Sequence, residues 1–228
     1  MPRLFPIPDR VEIAPGAIHL PGFLSLERQR HLVDECRALM DGAVPAYVPI
    51  VRGGGHMHVR MLCLGRHWNG KTYQYETSRS DYDNLAVPPL PPGFADMARE
   101  IAARAGMAID PDVCIVNHYD RHGRMGLHQD KDESESSLSR GIPVVSVSLG
   151  DKARFLFGGL RRRDEVVAIT LESGDAFVFG GPARLRHHGV SHVVPDSAPT
   201  ELELTGRLNL TFRQYCSRRA WPSSASIP

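Results

Sequence analysis

Apolar residues recur at helical spacing in two stretches. In "FLSLERQRHLVDECRALMDG", Leu32, Val33, Cys36, Leu39 and Met40 fall on one face, Ser25 stands at the capping position, and Gly42 closes the run. In "VPPLPPGFADMAREIAARAG", a proline-rich entry leads into Phe94, Met97, Ala98, Ile101 and Ala105 on one face, with Gly106 as the stop. After Gly106 the texture changes to short runs rich in β-branched and aromatic residues. These are "DVCIVNHY", "PVVSVSLG", "ARFLFGG", "EVVAITLESGDAFVFGG", "HHGVSHVV" and "ELTGRLNLTFRQY". Glycine and Ser-Gly-Asp turns separate them, and "ITLESGDAFVF" reads as a hairpin. Residues 43–92, rich in Gly, Pro, Tyr, Trp and charge, are expected to cover something rather than to form core. "SRRAWPSSASIP" reads as a loose tail. The pattern predicts one domain, mainly β with flanking helices. Helices and a covering segment occupy about 1–106, a sandwich or jelly roll of mostly antiparallel strands about 107–215, and the tail 216–228.

Composition agrees with many turns, since 21 glycines and 18 prolines punctuate 228 residues and 42% of the chain is apolar. The formal net charge is +1, so any footprint for nucleic acid must be local. Four dispersed cysteines without a Cys-x-x-Cys pair argue against a zinc finger or a disulfide scaffold and suggest reduced thiols. "MPRLFPIPDR" lacks the charged-then-apolar pattern of a signal segment, and no apolar run approaches membrane length. The expectation is a soluble cytoplasmic protein, monomeric and without a membrane partner.

The candidate chemistry begins at "MGLHQDKDE". Residues two apart on a strand share a face, so His128 and Asp130 could aim at one point. Two imidazoles and one carboxylate with open positions make a non-haem Fe(II) site, and "RLRHHGVSHV" offers further histidines. A His-x-Asp pair is also compatible with a solvated strand end. In "GRLNLTFRQY", Arg207, Asn209 and Arg213 fall on one face of a strand that carries the two arginines roughly 20 Å apart at about 3.3 Å per residue. Inward guanidinium groups need anions, either a dicarboxylate ligand between them or acidic side chains across the sheet. Asn117 and Tyr119 in "IVNHY" share a face and offer neutral hydrogen bonds. Arg154, Arg161, Arg162 and Arg163 crowd "RFLFGGLRRR", either as a phosphate contact or as a solvated turn.

Taken in order, "NHY", "LHQDKDE", "PVVSVSLG", "FGGL", "GD-FV-GG", "HHG" and "RLNLTFRQ" resemble the AlkB family of Fe(II)- and 2-oxoglutarate-dependent dioxygenases, from about Asp112 to Tyr215. Weaker likeness covers "APGAIHLPGF" and "MHVRMLCLGRHW". The resemblance implies a double-stranded β-helix, or jelly roll, with an N-terminal nucleotide-recognition lid. It implies metal ligands His128, Asp130 and His188, the last being the histidine before Gly189 rather than His187. It implies a 2-oxoglutarate set of Asn117, Tyr119, Arg207, Asn209 and Arg213. Trp68 and Tyr73 would belong to the lid, Asp132 and Glu133 would border the base pocket, and Arg162 would lie near backbone phosphates. The segment "ESESSLSRGIP" is longer, and the Trp68–Tyr73 spacing shorter, than the family pattern.

The implied activity is oxidative demethylation of alkylated DNA or RNA bases such as 1-methyladenine and 3-methylcytosine. The products would be formaldehyde, succinate and carbon dioxide. Two other classes fit parts of the pattern. A 2-oxoglutarate oxygenase acting on protein or a small molecule would share the metal and the arginines but need no base-stacking aromatic. A non-catalytic ligand-binding jelly roll would need no metal.

Overall fold

The computed structural model describes residues 8–215. The expected tail with Cys216, and the first seven residues, lie outside them. In chain order the elements are β1 (Val11–Ala14), β2 (Ala17–Leu20), α1 (Leu26–Met40), β3 (Arg60–Leu64), β4 (His67–Asn69), β5 (Gln74–Glu76), α2 (Pro92–Arg104), β6 (Val113–Tyr119) and β7 (Met125–His128). There follow α3 (Glu135–Ser139), β8 (Val144–Gly150), β9 (Lys152–Phe157), β10 (Val167–Leu171), β11 (Ala176–Phe179), β12 (His188–Val194) and β13 (Arg207–Arg213).

A seven-stranded sheet runs β1-β2-β11-β8-β13-β6-β3, and a four-stranded sheet runs β10-β9-β12-β7. Every pairing is antiparallel. Alternation along the strands sorts side chains into two layers. From β13, Leu208, Leu210 and Phe212 pack with Val33 and Cys36 of α1 and Phe94 and Ile101 of α2. Phe177 and Phe179 of β11 point the other way and meet Phe155 and Phe157 of β9 between the two sheets. This is the double-stranded β-helix, with α1 and α2 against one side. Ser25 caps α1 by accepting from the Arg28 amide. Gly106, at a φ of 79°, follows α2. No helix of the described residues is long and apolar enough to cross a membrane.

Three expectations change. "ITLESGDAFVF" is not a hairpin. β10 pairs with β9 in the small sheet, whereas β11 pairs with β2 and β8 in the large one. The intervening turn is bolted to the large sheet instead of closing on itself. The Asp175 carboxylate accepts from the amides of Gly22 (2.7 Å) and Glu172 (2.9 Å) and meets His19 Nε2 at 2.9 Å. The Gly174 amide donates to the Ser148 carbonyl at 2.8 Å.

Second, residues 43–92 are not only a cover. β3 forms an edge of the large sheet beside β6, and its Leu62 and Leu64 enter the helix-side core. Third, β1 and β2 also join that sheet, so it is not confined to 107–215. The β4–β5 hairpin is what closes over the open end of the jelly roll.

Candidate active site

The interior faces of both sheets and the β4–β5 hairpin enclose a cavity of about 630 Å³. His128, Asp130 and His188 meet in its wall. His188 pairs in register with His128 across β12 and β7. Gly189 makes that approach possible, because a Cβ there would lie 2.6 Å from the Met125 carbonyl oxygen. Asp130 reaches the cluster in a way simple alternation does not describe. β7 ends at His128, and the chain has left the strand when Asp130 turns back.

His128 Nε2 lies 3.6 Å from Asp130 Oδ1, and His188 Nε2 lies 3.5 Å from Asp130 Oδ2. The candidate donor atoms all fall within 4.8 Å of one another. Nδ1 of His128 donates to the Gly126 carbonyl at 2.9 Å, and Nδ1 of His188 donates to the Arg186 carbonyl at 3.0 Å. A carbonyl can only accept, so each Nδ1 carries a proton, and in the neutral ring each Nε2 has its lone pair facing the cluster. Burial, and then the neighbouring His128, push His188 down toward its neutral form. For His128 burial works against the charged form, but Asp130 outweighs it and raises the ring. Burial likewise opposes ionisation of Asp130, yet Arg213 and the two imidazoles hold its carboxyl well below the usual range. Two neutral-capable imidazoles and a committed carboxylate are the donor set that suits Fe(II). His187 stays out of the cluster, its backbone amide and Nδ1 both directed at the Gly159 carbonyl.

The two arginines of β13 have different surroundings. Arg213 spans Asp130, with Nη2 at 2.7 Å from Oδ1 and Nε at 3.1 Å from Oδ2, and its Nη1 donates to Tyr75 Oη at 2.8 Å. Arg207 is fully buried and donates only Nη2, to Ser148 Oγ at 2.9 Å, with its guanidinium carbon 5.3 Å from the Tyr119 ring centre. Its Nε and Nη1 have no hydrogen-bond partner among the described residues, nor does Oδ1 of buried Asn117. Burial disfavours the charge on Arg207 more than nearby Tyr119 and the more distant Asp175 favour it, and no carboxylate forms an ion pair with it among the described residues. A guanidinium keeps its proton, so this corner fits a ligand carboxylate such as that of 2-oxoglutarate. Asn209 lines the cavity with its hydrogen bonds already made, donating to Ser146 Oγ and the Val147 carbonyl and accepting from Thr211.

At the mouth, Trp68 Nε1 donates to Asp132 Oδ2 at 2.8 Å, and Tyr73 lies beside the indole with ring centres 5.7 Å apart. Arg162 lines the same mouth, exposed, and donates to the Leu127 carbonyl. Glu133 lines the cavity beside Asp132, and its buried carboxylate lies 2.9 Å from Arg184 Nη2 and 3.3 Å from Arg213 Nε. The sequence reading missed Tyr75 and Arg184, which sit in "TYQYET" and "PARLRHHG" without a distinguishing pattern.

The model of the 2OG-Fe(II) oxygenase superfamily matches residues 16–213. The chain is 42% identical over 224 residues to the DNA N(6)-methyladenine demethylase ALKBH1C of Arabidopsis thaliana, covering 89% of this chain and 49% of the relative. It thus spans about half the length of the Arabidopsis relatives it matches. It is 37% identical over 214 residues to the alpha-ketoglutarate-dependent dioxygenase AlkB of Salmonella typhimurium, covering 92% of this chain and 95% of that one. The solved structure of OsALKBH1 superposes with a TM-score of 0.84 at 37% identity, over 90% of this chain and 99% of that one. With a superfamily match running from β2 to the end of β13, and a bacterial relative matched over nearly its full length, the chain belongs to the AlkB family of 2OG-Fe(II) oxygenases.

Proposed function

We propose that the protein oxidatively demethylates alkylated nucleic-acid bases. The observation that carries this reading is a single cavity. It brings together a His-Asp-His cluster, a buried guanidinium with unused donors, and an indole tied to a carboxylate. In this reading His128, Asp130 and His188 hold Fe(II), and Arg207 pairs with the far carboxylate of 2-oxoglutarate, aided by Asn117 and Tyr119. Asn209 and Arg213 shape and charge the same wall. When bound, Fe(II) with 2-oxoglutarate and oxygen supplies the oxidation that turns an N-methyl C–H into C–OH, with succinate and carbon dioxide as co-products. The N-hydroxymethyl group then leaves as formaldehyde: its C–N bond breaks, the electron pair returns to the ring nitrogen, and the hydroxyl proton goes to solvent.

The chain's part is to hold and to exclude. The base must leave its stack to enter. Trp68 offers a face for it, and Asp132 a carboxylate beside it. Arg162 is placed to meet a phosphate at the rim, and the β4–β5 hairpin limits water. The proposed partner is alkylated DNA or RNA, bound by a monomer. A cytoplasmic setting is supported by the free buried thiols of Cys36, Cys63 and Cys114.

A second reading of the substrate is N6-methyladenine, which the names of two Arabidopsis relatives at 42% and 41% identity specify for those proteins. The test is formaldehyde release from oligonucleotides carrying 1-methyladenine, 3-methylcytosine or N6-methyladenine, as DNA and as RNA, with Fe(II) and 2-oxoglutarate. Release from the cationic bases supports the first reading, and release from N6-methyladenine alone supports the second. Consumption of 2-oxoglutarate with no formaldehyde from any oligonucleotide favours an oxygenase of protein or small molecules.

A further inference from the structure

Behind the metal cluster lies a closed circuit of buried charge. Arg213 grips both carboxylate oxygens of Asp130 and also reaches Glu133 Oε1 at 3.3 Å. Arg184 Nη2 meets the other oxygen of Glu133 at 2.9 Å. The circuit closes through the backbone, because Arg184 Nη1 donates to the carbonyl of Asp130 itself. Nε of Arg184 donates to the Ile142 carbonyl at 2.7 Å, fixing the guanidinium plane against the strand lead-in to β8. Arg184, Glu133, Arg213 and Asp130 are all buried. Two cations and two anions alternate, so the circuit is neutral overall.

Arg184 also stands four residues before His188. It therefore links the segment that delivers one proposed ligand to the main chain of another. Gln129 adds a neutral tie in the same direction, its Nε2 donating to the Leu185 carbonyl.

We propose that Arg184, acting through Glu133 and the Asp130 carbonyl, is a positioning residue for the metal-binding carboxylate. The proposal rests on reading His128, Asp130 and His188 as the metal centre. A divalent cation that takes a carboxylate oxygen of Asp130 competes with Arg213 for it. Glu133 supplies Arg213 with a second anion, so Arg213 can yield that oxygen without becoming an unpaired buried cation facing a dication. Arg184 neutralises Glu133 in turn and keeps it from swinging to the metal. It donates hydrogen bonds in two directions, to the Ile142 and Asp130 carbonyls, and sets a third nitrogen in an ion pair with Glu133, which the planar fork of Arg allows and a compact ammonium does not.

Electrostatics alone and positioning predict opposite signs. Removing the positive charge of Arg184 would strengthen binding of a dication if charge were all that mattered. Loss of its hold on Asp130 should weaken it. The experiment measures Mn(II) binding to the apo-protein through loss of the free-ion electron paramagnetic resonance signal, with thermal unfolding on the same samples. The variants are Arg184→Met, Arg184→Lys, Glu133→Gln and the Arg184→Met/Glu133→Gln pair.

The expected result is Mn(II) binding weakened roughly tenfold to a hundredfold in Arg184→Met and in Glu133→Gln. Arg184→Lys should recover it only in part, and the pair should lose little more than either single change. Unchanged or tighter Mn(II) binding in folded Arg184→Met, with only its unfolding temperature lowered, overturns the proposal. If Arg184→Met does not fold, the nearly isosteric Glu133→Gln decides it by the same reading. Wild-type protein and His188→Ala run alongside. Failure of the wild type to bind Mn(II), or full binding by His188→Ala, overturns the metal-centre reading and this proposal with it.

Discussion

Arg207 and Arg213 leave the same face of one strand, and their surroundings assign them different work. Arg213 is already committed to Asp130, Glu133 and Tyr75, whereas Arg207 holds two unused donors. Arg207→Met should therefore raise the 2-oxoglutarate concentration needed for half-saturation by roughly tenfold to a hundredfold, because a charged hydrogen-bond partner contributes about 1.5–3 kcal/mol and about 1.4 kcal/mol is tenfold. Mn(II) binding should stay near wild type. Calorimetric titration of both ligands checks this, and equal losses of both would show that Arg207 supports the metal instead.

The two adjacent histidines separate as clearly. His188 Nε2 faces Asp130, while His187 is turned to Gly159. His188→Ala should abolish formaldehyde release and His187→Ala should keep most of it. The reverse result would place the third ligand wrongly.

At the scale of elements, the jelly roll depends on the chain changing sheets between β10 and β11. Gly174 sits in that crossing at a φ of 88°, and a Cβ there would lie 2.3 Å from Gln29 Nε2 and 2.9 Å from the Leu24 carbonyl oxygen. Gly174→Ala should cost about 1–3 kcal/mol in stability, from left-handed backbone and crowding together. Urea unfolding measures it, and a wild-type midpoint would mean the turn relaxes freely.

In the proposed function the β4–β5 hairpin is the element that carries base recognition, through Trp68. Trp68→Ala should lower turnover of methylated oligonucleotides by roughly one to two powers of ten, since base stacking on an aromatic face contributes about 1–3 kcal/mol. Affinity for 2-oxoglutarate should be unaffected, because Arg207 lies on the large sheet and not on the hairpin. Lower thermal stability with full activity would leave Trp68 as packing for the hairpin alone.

For the whole molecule, the site joins two sheets that are held mostly by the apolar layer between them. Ligands bound there favour only the folded state. Mn(II) and 2-oxoglutarate, with the limiting ligand at a hundred times its dissociation constant, should add about 2.7 kcal/mol of stability. That corresponds to a rise of roughly 5–10 °C in unfolding temperature for a chain of this size. A scanning calorimetry trace that does not move with both ligands present would argue against a shared site. With Arg207→Met the increment from 2-oxoglutarate at the same concentration should fall to about 0.4–1.4 kcal/mol while that from Mn(II) remains.

Local pattern determined a good part of this protein. The spacing of Leu32, Val33 and Cys36, and of Phe94, Met97 and Ile101, defined both long helices, because a helical face is a property of a dozen consecutive residues. Period-two alternation put Arg207, Asn209 and Arg213 on one face of β13, opposite Leu208, Leu210 and Phe212. The ordered motifs, through family resemblance, named the histidines and carboxylate that the structure brings within 4.8 Å.

Pairing across the chain was not legible there. β1, β2 and β3 are short, and only their neighbours β11 and β6 make them part of the large sheet. The turn after β10 looks like a hairpin until Asp175 is seen holding it to β2. A side chain's face follows from its own strand, but its partner depends on which distant strand lies opposite. For that reason only the tertiary structure could turn Glu133 inward to Arg184 and Arg213, and leave Arg207 the guanidinium with donors to spare.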